Sequence, residues 1–131
     1  MDPADTVLIY AHYPAGASTK QVLHYAQEVE SGRFRKYDFG PTKNRYYYNG
    51  FQIAPDYNLS KISAPIHLIY SSNDWLSSEA DVNILHGELK SCKEKYWVPL
   101  PTWNHMDYLF GKDAPKLVYS KVLNILEKYE S

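Results

Sequence analysis

Two side chains stand out for their chemistry: Asp74, in Tyr70-Ser71-Ser72-Asn73-Asp74-Trp75-Leu76, and His105, in Trp103-Asn104-His105-Met106-Asp107-Tyr108. A carboxylate that accepts a hydrogen bond from one imidazole nitrogen fixes the tautomer and leaves the other nitrogen to take a proton from a nucleophile. A serine hydroxyl needs such a base, because it is a poor nucleophile while it keeps its proton. In hydrolases built on an open α/β sheet the three residues occur in the order Ser, Asp or Glu, His, and the serine sits upstream in a Gly-x-Ser-x-Gly turn. This sequence has no such turn. The nearest approach, Gly16-Ala17-Ser18-Thr19-Lys20, lacks the second glycine, so the acid and base arrive without their serine.

The elements that must position the pair can be read from apolar periodicity. Residues 65–70 form a nearly continuous apolar run of strand length, the pattern of a strand buried on both faces of a parallel sheet. The polar turn carrying Asp74 follows. Ser78 and Asp81 then fit a helix start, with Val82, Leu85 and Leu89 on one face. Tyr96, Trp97 and Val98 make a second short strand that leads into the His105 loop. Asp113 and Pro115 open a last helix striped by Val118, Val122, Ile125, Leu126 and Tyr129. The order is βαβα, with a right-handed crossover expected. In such sheets functional groups collect at the carboxyl ends of the strands, where both Asp74 and His105 fall.

Each residue also has a plainer reading. An aspartate between a strand and a helix is often a turn or capping residue, and a histidine in a loop is often only a surface group. Their joint occurrence in triad order favours the chemical reading. Asp107 could be mistaken for the acid, but so near a neighbour is better suited to organising the loop. His67 lies within the first strand, and His12, His24 and His86 fall in loop or helix-surface positions. None has a partner at metal-ligand spacing, and no cofactor is expected.

Upstream, residues 7–10 are a short apolar patch followed by the breakers Pro14, Ala15 and Gly16. Ser18 and Gln21 stand in capping-box relation before a helix over 19–31, with Val22, Tyr25, Ala26 and Val29 as its apolar face and Gly32 as its stop. Residues 33–63 lose all period. They read as short strands or an ordered connection held by tyrosines, of which the chain has 13. The run Tyr46-Tyr47-Tyr48 fits packing better than a platform for sugars or bases.

The 131 residues, 44% hydrophobic and 15% aromatic, suit one domain with a core. Fourteen basic against 15 acidic side chains give a formal net charge of -1 without a basic stripe, so no nucleic-acid partner is expected. One cysteine, Cys92, excludes an internal disulfide and reads as a partly buried thiol between helix and strand. No apolar run is long enough to span a bilayer, and residues 1–5 lack the pattern of a signal peptide. Asn58-Leu59-Ser60 is an N-glycosylation sequon, consistent with secretion.

From His12 to Tyr129 the sequence resembles the carboxyl-terminal part of the acid lipase family, the α/β-hydrolases that include gastric and lysosomal acid lipases and insect digestive lipases. The resemblance rests on Pro14-Ala15-Gly16-Ala17-Ser18, Tyr37-Asp38-Phe39-Gly40, Tyr48-Asn49, Pro55-Asp56-Tyr57-Asn58-Leu59, Asn73-Asp74-Trp75-Leu76, Asn104-His105-Met106-Asp107-Tyr108 and Asp113-Ala114-Pro115. It implies an α/β fold that is the carboxyl-terminal portion of an α/β-hydrolase, an incomplete parallel sheet with flanking helices. Residues 1–37 would end the cap over the active site and residues 38–131 would belong to the core. Asp74 matches the family's triad acid and His105 its base, in a lipase that hydrolyses triacylglycerols or sterol esters, outside the cell or in the lysosome. The turn before Asp74 departs from the family, with Ser71 and Ser72 where many relatives carry glycine. The first strands, oxyanion-hole loop, nucleophile elbow and most of the cap have no counterpart here. The expectation is a segment inactive alone, which acts on neutral lipid esters only when completed, and which self-associates through its exposed sheet. The alternative is a non-catalytic lipid- or protein-binding module derived from a lipase.

Overall fold

The computed structural model describes residues 3–13 and 15–130. The breaker Pro14 and the first two residues of the amino-terminal stretch lie outside the described residues. The chain divides into two compact units, Pro14–Asn58 and a second formed by Met1–Tyr13 with Leu59–Ser131.

In the second unit, helix α1 spans Pro3–His12. Strand β1 spans Ile66–Tyr70, helix α4 Glu79–Glu88 and strand β2 Cys92–Trp97, and the strands pair in parallel. A parallel pair with a helix between its strands is the βαβ unit expected from the periodicity, an arrangement compatible with a partial α/β fold. Ser78 caps α4, accepting from the Asp81 backbone N–H at 3.1 Å. Strand β2 is longer than Tyr96-Trp97-Val98 because Lys93, Glu94 and Lys95 interrupt its apolar pattern, and Cys92 opens the strand instead of lying in a connection. Charged side chains of this kind are tolerated where a strand lies at a sheet edge. The register slips once: Ile66 pairs with Cys92 and His67 with Glu94.

Beyond β2, a short helix α5 covers Asp107–Phe110. The last helix begins with a wide π-helical turn, Pro115–Tyr119, and continues as α6, Ser120–Leu126. The extra residue in that turn rotates the stripe. Val118 and Ile125 are buried and Val122 is half-buried, while Leu126 and Tyr129 are exposed. Val98, Trp103, Ala114 and Val118 form the core, with Ile69, Tyr96 and Leu117 packed against them. Residues 66–69 of β1 are only half-buried, although the apolar run reads as covered on both faces.

In Pro14–Asn58, helix α2 spans Thr19–Ser31 and stops at Gly32, whose φ of 61° is the left-handed cap that glycine adopts without strain. Two expectations fail within it. Ser18 makes no side-chain cap; Gln21 donates instead to its backbone carbonyl at 2.9 Å. The predicted face, Val22, Tyr25, Ala26 and Val29, is exposed. Polar side chains hold the helix: His24 Nε2 lies 2.7 Å from the Arg35 carbonyl, and Gln27 exchanges bonds of 2.9 and 2.8 Å with the Asp38 backbone. The aperiodic stretch hides a helix, α3, Pro41–Tyr47, with proline at its start, and one antiparallel bridge from Arg35 to Asp56.

Candidate functional site

Asp74 lies in the turn between β1 and α4, and its two oxygens do separate jobs. Oδ1 accepts from the backbone N–H groups of Leu76 at 2.9 Å and Ser77 at 3.0 Å, which folds the turn. Oδ2 lies 3.0 Å from His105 Nδ1. The plain reading as a turn residue and the chemical reading are therefore compatible, one oxygen serving each. The Asp74 side chain is only 5% exposed and that of His105 is 50% exposed. A carboxylate withdrawn from water needs its lone pairs satisfied, and three donors converge on this one.

His105 is held by its loop. The Trp103 ring, 2% exposed, anchors the segment in the core. Asn104 and Asp107 brace the turn: Asp107 Oδ2 accepts from the Asn104 N–H at 2.9 Å, and Asn104 Oδ1 accepts from the Met106 N–H at 2.9 Å. Asp107 thus organises the loop, while Asp74 faces the imidazole. Asn73 Nδ2 donates to the Thr102 carbonyl at 3.0 Å and ties the acid's turn to the base's loop.

In the tautomer whose Nδ1 donates to Asp74, Nε2 is the free acceptor, and it has no protein partner among the described residues. An open depression of about 270 Å³ is lined by Asn73, Trp75, Leu76, Asn104 and His105. Trp75 is 90% exposed at its rim. An imidazole so oriented can take a proton from a hydroxyl placed in the depression and return it to a leaving alcohol.

Gly111 is a supporting residue that the sequence did not mark. A Cβ there would lie 2.6 Å from the Asp107 carbonyl oxygen and 2.9 Å from the Trp103 ring. Only glycine lets the chain pass this close behind the His105 loop. Its φ is ordinary, so only the fold reveals the constraint.

The remaining candidates lie elsewhere. His67 faces Glu94 and the Tyr129 hydroxyl, and His24 serves α2. His12 and His86 are exposed, Cys92 is half-buried in β2, and Asn58 of the sequon is exposed. No group of three or more His, Cys, Asp or Glu side chains that could hold a metal ion occurs among the described residues.

Curated proteins match nearly the whole chain. Lipase 3 of Drosophila melanogaster is 43% identical over 122 residues, which is 93% of this chain and 31% of that protein. Gastric triacylglycerol lipase of Bos taurus is 35% identical over 117 residues, 88% of this chain and 29% of that protein. The human lysosomal acid lipase/cholesteryl ester hydrolase is 32% identical over 119 residues, 91% of this chain and 29% of that protein. The chain therefore spans about three-tenths of the length of the curated relatives it matches. No family model matches it.

Proposed function

We propose that this chain, similar over about nine-tenths of its length to proteins named as lipases, is a lipase-derived segment that supplies the acid and base of a Ser-His-Asp ester hydrolase. Asp74 is the acid and His105 the base. The observation that carries this reading is the 3.0 Å bond between His105 Nδ1 and Asp74 Oδ2 at the carboxyl ends of paired parallel strands. The fold is then the carboxyl-terminal portion of an α/β-hydrolase, with residues 1–37 ending the cap and residues 38–131 in the core. That division is one of descent rather than compactness, since Arg35 pairs with Asp56 across it.

In the reaction, His105 Nε2 takes the proton of a serine hydroxyl as its oxygen attacks the ester carbonyl. The imidazolium, stabilised by Asp74, then protonates the departing alcohol, and water repeats the sequence to release the acid. The substrates are neutral lipid esters, triacylglycerols or sterol esters, and the setting is extracellular or lysosomal. Asn58 is an acceptor for N-linked glycan there. The serine comes from outside these 131 residues, and the chain alone does not turn over.

The test is ester hydrolysis, with a triacylglycerol and a cholesteryl ester, by the 131-residue chain and by the natural product that contains it. The chain alone should match the uncatalysed rate. The natural product should hydrolyse at least one ester and lose at least about 10³-fold in kcat on His105→Ala. Turnover by the chain alone that His105→Ala abolishes would sink the missing-serine reading, and a natural product indifferent to His105→Ala would sink the assignment of the base.

A second reading, a non-catalytic lipid- or protein-binding module, draws on the exposed Trp75 and Leu76 beside the depression. Such a module needs a self-sufficient core. The half-buried strands favour self-association instead, through unpaired sheet edges.

A further inference from the structure

The backbone ladder between β1 and β2 ends where the Val98 N–H donates to the Tyr70 carbonyl at 2.8 Å. Past it the chain leads into the turn that carries Asp74 and the loop that carries His105. Among the described residues no backbone bond joins residues 71–75 to residues 99–106. Side chains take over there. The Trp97 indole Nε1–H, at the end of β2, donates to Ser72 Oγ at 2.8 Å. Asn73 Nδ2 donates to the Thr102 carbonyl at 3.0 Å, and His105 Nδ1 lies 3.0 Å from Asp74 Oδ2. Three successive residues of the acid's turn thus each reach across to the segment that carries the base.

Packing does not explain the bond between Trp97 and Ser72. Trp97 is 38% exposed and stands outside the core of Val98, Trp103, Ala114 and Val118, so water could serve its indole N–H and the core does not require the contact. Its effect is geometric. The indole nitrogen is a donor on a rigid ring, so a hydroxyl bonded to it has a fixed place relative to the end of β2. Asp74 is two residues further along a turn that its own Oδ1 closes through the Leu76 and Ser77 N–H groups, so a shift at Ser72 is passed to the carboxylate. A misplacement of roughly 1 Å in a reacting constellation can cost about 10²-fold in rate.

We propose that Ser72 and Trp97 are positioning residues: their hydrogen bond carries the register of the sheet past its last backbone bond and sets the Asp74 carboxylate at bonding distance from His105. Asn73 and Thr102 form the next link, and the acid–base bond itself is the third. The assignment rests on the proposed function, because the spacing governs a rate only where the pair works as acid and base. Amide exchange reads the spacing without any turnover, so the two ideas fail separately.

The experiment compares variants of the natural product that contains these residues, by ester hydrolysis and by amide exchange. Ser72→Ala and Trp97→Phe each remove one end of the bond, and either serves if the other does not fold. Each should lower kcat about fivefold with KM within about twofold, the size of one hydrogen bond felt in the transition state. The Leu76 and Ser77 amides, which donate to Asp74, should exchange at least about threefold faster, while the Leu117 amide, bonded to the Asp113 carbonyl at 2.8 Å beside the core, stays within about twofold. The double variant should do no more than either single one, and Ser72→Thr, which keeps a hydroxyl, should leave both readouts near the parent. Unchanged exchange at Leu76 and Ser77, an equal acceleration at Leu117, additive losses in the double variant, or an unchanged kcat in an enzyme that His105→Ala inactivates overturns the proposal. Faster exchange at Leu76 and Ser77 alone, in a natural product indifferent to His105→Ala, supports the link and sinks the triad reading instead.

Discussion

In the unit formed by Met1–Tyr13 and Leu59–Ser131, Val98, Trp103, Ala114 and Val118 close over a pair of parallel strands. In Pro14–Asn58 the most deeply buried side chain is that of an asparagine, Asn44, at 0% exposure. Its Oδ1 accepts from the Phe39 N–H at 2.9 Å, and its Nδ2 donates to Asp38 Oδ1 and the Gln52 carbonyl, each at 2.8 Å. Tyr48 adds a bond from its hydroxyl to the Tyr37 carbonyl at 2.6 Å. One unit is organised by apolar volume and the other by a hydrogen-bonded hub. The difference predicts which substitutions each tolerates, because volume can be refilled by another apolar group while a hub needs its donors and acceptors in place.

The largest effect belongs to the apolar core. Trp103→Ala should cost about 3–5 kcal/mol in the unit that carries the site, and Trp103→Phe clearly less, since much of the volume returns. Denaturant melts read at the Val98 amide measure both. Equal losses for the two variants would mean that volume is not what Trp103 supplies. Asn44→Ala should cost about 3 kcal/mol in its own unit by stranding the Phe39 N–H and the Gln52 carbonyl and by leaving Asp38 Oδ1 with the Gly40 N–H alone of its two donors. Asn44→Leu should do no better, although it restores volume. Recovery of stability by leucine, read at the Phe39 amide, would erase the contrast between the units.

The same contrast explains what the sequence made legible. Apolar periodicity located Ile66–Tyr70, Glu79–Glu88 and the bounds of Thr19–Ser31, because each carries a regular pattern or a cap such as Ser78. It misjudged which face of Thr19–Ser31 packs, since His24 and Gln27 hold the helix by hydrogen bonds that no hydrophobic period records. Pro41–Tyr47 was missed for the same reason: its one buried residue is Asn44. Asp74 and His105 meet as their spacing on a βαβα unit suggested, and Asp107 braces the loop. Gly111 depends on the close approach of its backbone to Asp107 and Trp103, which spacing along the chain does not record.

The smallest effect, and the sharpest on mechanism, is the response of the hub to acid. The Gly40 N–H and then the Asn44 amide hold the Asp38 carboxyl below the usual carboxylate range; burial opposes them, and the Arg35 guanidinium adds the smallest contribution. A carboxylate with a depressed folded-state pKa contributes stability that is present above its unfolded value of about 3.9 and is lost as pH falls through the folded value. Pro14–Asn58 should therefore loosen below about pH 4, measured as faster exchange of the Phe39 and Gly40 amides, and Asp38→Asn should flatten that dependence. Salt separates the causes. The Arg35 pair, 3.8 Å apart and partly exposed, is open to screening, while the Gly40 and Asn44 bonds, each 2.8 Å, are not. The acid response should accordingly survive about 0.5 M NaCl nearly intact. If salt removes it, Asp38 is held by charge rather than by directed hydrogen bonds, and the hub is a looser electrostatic cluster than its geometry implies.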